Sequence, residues 1–200
     1  IARRVAPGDL DGWHHEWRTA AERAYALGEE AEQFGQGETA RTAFLRACTY
    51  FRTAGLVYLA QPVDPRLPES IVRQRDAFRR AIRHLDARVD VVSIPFEGIQ
   101  LPGYYYRVAD DGRRRATVIL VNGYDGTAEE LYFGNAQAAL DRGYDVLAFD
   151  CPGQGSVLVE QGVPMRPDWE NVLPPVVDWL LAQASVYPER IAVIGWSLGG

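Results

Sequence analysis

Ile191-Ala192-Val193-Ile194-Gly195-Trp196-Ser197-Leu198-Gly199-Gly200 is the stretch whose reading decides the fold. An apolar, β-branched run stands directly before Gly-x-Ser-x-Gly, and Pro188-Glu189-Arg190 punctuates the start of that run. Three fixed positions in five are cheap in a chain with 19 glycines, so the motif alone decides little. Its context decides more. A buried strand that turns sharply into a helix needs glycines on both sides of the turning residue, and this device, a nucleophile elbow, lifts a serine hydroxyl off the edge of a sheet. Gly200 adds room for the helix to pack closely on the strand. Ser197 is therefore expected to be the nucleophile of a serine hydrolase.

The chain before the elbow has two regimes. From Asp11, apolar residues recur at alternating threes and fours (Trp13, Trp17, Ala20, Ala24, Leu27, Ala31, Phe34), one face of an amphipathic helix stopped by Gly35 and Gly37. A second helix is expected from about Glu38 to Gln61, with Phe44, Cys48, Phe51, Gly55 and Tyr58 on one face and Pro62 and Pro65 beyond it. A third runs from Pro68 or Glu69 through Ile71, Phe78, Ile82 and Leu85. Residues 1–88 read as an all-helical domain, its first two helices an antiparallel pair.

From residue 89 the period changes to that of strands. Residues 89–96 and 99–108 form an expected hairpin about Glu97-Gly98, its prolines placing it toward a sheet edge, with Tyr104, Tyr105 and Tyr106 decorating both strand faces. Residues 116–122 are continuously apolar, the look of a strand covered on both faces in a parallel sheet, and residues 144–150 are the next strand. A helix opened by a Thr127/Glu130 capping box and stopped at Gly143 lies between them. The loop Pro152-Gly153-Gln154-Gly155 leads to a last helix at about 168–184 and then to the elbow. The fold class expected for residues 89–200 is α/β with a mostly parallel sheet, ligands binding at the strands' carboxyl ends, where Asn122, Asp150 and Ser197 all fall.

Composition excludes other classes. At 47% hydrophobic and 24% charged residues, the chain is an ordinary globular one. Its 21 basic residues are all Arg, but the net charge is −6 and no basic stripe is present, so no nucleic-acid partner is expected. Cys48 and Cys151 lie far apart in no metal or CxxC spacing, and no apolar run is long enough to span a bilayer. A cytoplasmic protein with free thiols, no cofactor, no metal and no membrane contact is expected. His14, His15 and His84 all precede the sheet, and packing or surface roles are expected for them.

These residues resemble the α/β-hydrolase fold, and more narrowly a branch with an N-terminal helical domain. That branch includes the 2,6-dihydroxypseudooxynicotine hydrolase type of carbon–carbon bond hydrolase, fungal polyketide-shortening hydrolases and FrsA-like esterases. The resemblance is carried by Ile94-Pro95-Phe96-Glu97-Gly98 with Leu101-Pro102-Gly103-Tyr104, by Asn122-Gly123-Tyr124-Asp125, by Phe149-Asp150-Cys151-Pro152-Gly153-Gln154-Gly155, and by the elbow. It implies Ser197 as nucleophile and an oxyanion hole from the backbone amides of Leu198 and Tyr124, on a loop begun by Asn122 and Gly123. Where many relatives place His before that glycine, this chain has Asn122. Asp125, Cys151 and Trp196 are candidates for the pocket, with Asp125 equally readable as a helix cap and Cys151 as packing; Asp150 belongs to a loop-fixing DxPGxG turn. The resemblance puts the triad Asp or Glu and His after the serine, beyond residue 200.

A longer protein is accordingly expected, with on the order of 150 further residues. The expected activity is hydrolysis of a small carbonyl compound, by ester cleavage or by carbon–carbon cleavage next to a ketone. The alternatives on the same fold are an acylaminoacyl-type peptidase, an acyltransferase, or an inactive binding protein. The helical unit is expected to help roof the pocket. Its Trp-rich stripe would serve its own core first, and a homodimer interface as readily as a lid.

Overall fold

The computed structural model describes residues 1–60 and 63–200. They form two compact units, Ile1–Leu85 and Asp86–Gly200.

The first unit holds three helices, α1 (Leu10–Gln33), α2 (Gly37–Leu56) and α3 (Arg66–Ala81), the last continued by a tighter turn over Ile82–His84. Asp9 caps α1 by accepting a bond from the Gly12 amide at 2.8 Å. The buried stripe of α1 runs through His14, Ala21, Ala24, Gly28 and Ala31, beside the expected one; Leu27 and Phe34 are exposed. Small residues win this seam because α2 brings the large ones, Phe44 and Phe51, into it. Helix α2 ends at Leu56, earlier than expected, and the expected helix end at Gln61, with the stop at Pro62, lies outside the described residues. Past that end, the Tyr58 hydroxyl bonds the Leu10 carbonyl at 3.2 Å and Asp11 at 3.1 Å, which requires the chain to leave the helical path. His14 packs on the Tyr58 ring, and His84 lies 2.9 Å from Glu32, so both have structural partners within this unit.

The second unit is built on five strands: β1 (Arg88–Phe96), β2 (Ile99–Arg107), β3 (Arg115–Val121), β4 (Asp145–Phe149) and β5 (Val186–Gly195). Their order in the sheet is β1-β2-β4-β3-β5. Glu97 and Gly98 both have positive φ, 45° and 84°, the turn whose twist suits a two-residue hairpin. The hairpin joins the sheet through an antiparallel β2–β4 pairing, whereas β4, β3 and β5 run parallel. The sheet is therefore mixed: β4, β3 and β5 form its parallel part, and the β1–β2 hairpin adds antiparallel strands at one edge. One face buries Ile94, Leu101, Ile119, Leu147 and Phe149 with residues of α5 (Gly155–Val159) and α6 (Leu173–Leu181). Tyr105 points to that side, toward Trp179, while Tyr106 stacks on Tyr132 at 6.1 Å.

Three element boundaries differ from expectation. The helix between β3 and β4 begins later and contains a π turn, Tyr132–Ala136, ahead of α4 (Gln137–Leu140). The Gly/Pro-rich loop hides α5. The last helix is preceded by a separate turn, Trp169–Asn171, and opens at Leu173 beside Pro174, where a missing N–H is harmless. β5 also departs from the expected buried strand: among the described residues it pairs only with β3, leaving Val193 48% and Ile194 39% exposed. No helix among the described residues is long and apolar enough to cross a membrane.

The α1–α2 seam makes a test. A methyl on Gly28 would come within 2.6 Å of the buried Phe44 ring. Helix propensity would gain about 1 kcal/mol from Gly28→Ala, but overpacking a filled core costs about 1–3 kcal/mol. We expect a net loss of about 1–2 kcal/mol, measured by urea denaturation of the full-length protein; a gain would contradict the packing described.

Candidate active site

Val121 and Gly195 close neighbouring parallel strands in register, and the Trp196 amide donates to the Val121 carbonyl at 3.1 Å. The two turns that follow, Asn122-Gly123-Tyr124 and Trp196-Ser197-Leu198, therefore emerge side by side at the carboxyl end of the sheet. That is where parallel α/β sheets bind ligands.

Ser197 has φ 50°; among the described non-glycine residues only Glu97, in the hairpin turn, shares that region. Such a backbone costs an L-residue about 1–2 kcal/mol. It is held by the turn itself, with Gly199 N donating to Trp196 O at 2.8 Å and Gly200 N to Ser197 O at 3.2 Å. Two glycines let the turns meet. A methyl on Gly199 would fall 2.0 Å from the Asn122 carbonyl oxygen, and one on Gly123 would fall 3.1 Å from Ser197 Cβ and 3.7 Å from its Oγ.

The other expected site residues fall into two groups. Tyr124 and Leu198 sit on the facing turns with side chains 59% and 60% exposed, so the backbone is what these positions can offer a buried atom. Trp196 is part-exposed, and its ring packs where Gly134, in the π turn, has no side chain. Asp125 is exposed at the loop tip; the helix after it is capped instead by Glu130, whose carboxylate accepts from the Thr127 amide at 3.0 Å. Of the two readings of Cys151, the structure has the packing one: it is fully buried in the sheet core and donates to Gln154 Oε1. Burial pushes its thiol well above the usual range, leaving it protonated and inert. Asn122 is buried with its Nδ2 lacking a protein partner.

Asp150 ends β4 in a dry polar cluster. Its carboxylate accepts from Ala128 N at 2.7 Å, Ser156 N at 2.9 Å and Ser156 Oγ at 2.7 Å. Glu129 is buried nearby and accepts from the Tyr104 hydroxyl at 2.7 Å. Burial first, and the Glu129 carboxylate second, push the Asp150 carboxyl up to about 7 against those three donations. The sequence flagged Asp150 and the Gln154 motif but not Glu129, which looks like any acidic residue in the first turn of a helix. No group of three or more His, Cys, Asp or Glu among the described residues is placed to hold a metal ion.

The raised Asp150 value has a sign. The folded state holds this proton more tightly than the unfolded chain, so its stabilising contribution is complete below the ordinary value of 3.8 and is lost as pH rises through about 7. The stability gap between wild type and Asp150→Asn, from urea denaturation, should narrow between pH 4 and pH 8 by up to about 4 kcal/mol. A gap independent of pH would contradict a proton held by Asp150 in the folded state.

A family model described as the alpha/beta hydrolase family matches residues 118–200. The chain is 40% identical over 207 residues to Hydrolase LUC6 of Fusarium sp, a match covering 100% of this chain and 49% of that protein. It is 38% identical over 207 residues to 20-hydroxy-prefusarin hydrolase FUS2 of Gibberella moniliformis, again covering 100% and 49%. The crystal structure of the 2,6-dihydroxy-pseudo-oxynicotine hydrolase matches with a TM-score of 0.84 at 25% identity, covering 98% of this chain and 53% of that one. The chain thus spans about half the length of the curated relatives it matches. The chain has the α/β-hydrolase fold and is similar to the branch that holds these fungal hydrolases and the 2,6-dihydroxy-pseudo-oxynicotine hydrolase.

Proposed function

We propose that the full-length protein is a serine hydrolase of a small carbonyl compound, with Ser197 as its nucleophile. The observation that carries this reading is the left-handed Ser197 at the end of β5, set against the Asn122–Tyr124 turn. Ser197 Oγ attacks the carbonyl carbon and its proton passes to a general base, a His supplied with an Asp or Glu by chain beyond residue 200. The carbonyl oxygen gains charge as the tetrahedral centre forms. The amides of Leu198 and Tyr124 are the donors that receive it, and losing one such donor typically costs roughly 10²–10³ in rate.

The bond broken next distinguishes two chemistries. In ester hydrolysis an alcohol leaves with the proton. In carbon–carbon cleavage the electron pair leaves on a carbon next to the ketone and is protonated there, and Ser197 holds the acyl half until water releases it. The IPFEG…LPGY and DxPGQG segments favour carbon–carbon cleavage, through their resemblance to that type of hydrolase. The similarity to a solved 2,6-dihydroxy-pseudo-oxynicotine hydrolase supports it.

Ser197→Ala in the full-length protein should lower kcat by on the order of 10⁴–10⁶ while leaving the melting temperature unchanged. Mass spectrometry of the wild type with an aryl ketone should find an acyl group on Ser197 and free arene in solution. Retained turnover in the variant would remove the nucleophile assignment, and turnover of simple esters alone would remove carbon–carbon cleavage.

A further inference from the structure

We propose that Gln154 and Asp150 are positioning residues for the oxyanion amides: the loop after β4 grips the loop after β3 at both its ends and so sets where the Tyr124 N–H points. The inference rests on the reading of Ser197 and Tyr124 given above.

The loop from Asn122 to Ala128 is held by two side chains of one neighbouring segment. At its start the Asn122 carbonyl accepts from Gln154 Nε2 at 2.5 Å, and at its end the Ala128 amide donates to Asp150 Oδ1 at 2.7 Å. Gln154 is 1% and Asp150 3% exposed, so water does not compete for either bond. The clamp is itself braced. The Cys151 thiol donates to Gln154 Oε1, which fixes the amide with its NH₂ toward Asn122, and Ser156 donates twice to Asp150 Oδ2.

The reach to chemistry is short. In a trans peptide the carbonyl and the next N–H point opposite ways in one plane. Holding the Asn122 carbonyl therefore fixes the plane that leads into Gly123, the residue beside Ser197 Cβ and Oγ, and thence into Tyr124. The same carbonyl also lies against Gly199, where a side chain would fall 2.0 Å from it. Without Gln154 Nε2 the carbonyl loses its donor, and the plane can turn. A misplacement of about 1 Å at a reacting centre can cost roughly 10² in rate. A purely structural bond would instead show itself as lost stability, with the remaining folded protein reacting normally.

The experiment uses the full-length enzyme and an alkyl fluorophosphonate. Ser197 Oγ forms a bond to phosphorus, fluoride leaves, and the Oγ proton goes to the base; the phosphoryl oxygen occupies the place of the oxyanion. Wild type should be labelled on Ser197, identified by mass spectrometry. Absence of that label overturns the proposed function and this inference with it. Gln154→Met keeps the volume and removes the donor. Its maximal labelling rate should fall about 10–100-fold with the half-saturating probe concentration unchanged within about threefold. A labelling rate within threefold of wild type overturns the inference and leaves the nucleophile reading intact. If Gln154→Met does not fold, Gln154→Glu decides. Protonated, its carboxyl can donate to Asn122; ionised, it cannot. Its labelling rate relative to wild type should climb as pH falls from 8 to 5, and a flat ratio overturns the inference. The titratable groups facing this site, Cys151, Asp150 and Glu129 with Tyr104, are common to both proteins, so the ratio isolates residue 154.

Discussion

The candidate site depends on how closely two backbone turns approach: the one leaving β5 at Gly195–Gly199 and the one leaving β3 at Asn122. Parallel pairing of β3 with β5 in register brings their ends level, and the absence of a side chain at Gly199 lets the Asn122 carbonyl press against it. No side chain larger than hydrogen fits between them. Had either strand slipped by one residue, every side chain on it would change face, and Ser197 would no longer stand beside Gly123.

The energetics of the region run against local comfort. Ser197 holds a left-handed backbone, and the Asp150 carboxyl, buried in a dry cluster beside Glu129, is pushed up to about 7. Each is offset by hydrogen bonds that close locally, the Trp196–Gly200 turn in one case and the Ala128 and Ser156 donors in the other. The polar cluster rigidifies two loops at once, which apolar packing of short Gly-rich segments could not do. Strain and buried charge of this kind collect at functional sites and persist where the surroundings over-determine them.

Much of this was legible in the sequence, for physical reasons. The strands β3 and β4 announce themselves as apolar runs because both faces are covered, and the hairpin because Glu97-Gly98 allows positive φ at both turn residues. The elbow is legible because only glycine fits around it. Other features were hidden by tertiary context. The seam of α1 uses Ala and Gly, not the Trp and Leu that periodicity favours, since Phe44 fills the space from the opposite helix. The π turn over Tyr132–Ala136 leaves no mark in composition, and Glu129 becomes a buried partner of Asp150 only through the fold. Cys151, next to Asp150 in sequence, turns into the core because adjacent residues diverge at the strand end.

The most direct test of the account is a crystal structure of the full-length protein carrying a phosphonate on Ser197. The account predicts phosphorus bonded to Ser197 Oγ and its free oxygen about 2.7–3.1 Å from the amide nitrogens of both Tyr124 and Leu198. A phosphonate on another residue, or a phosphoryl oxygen turned away from the Asn122–Tyr124 turn, would contradict it.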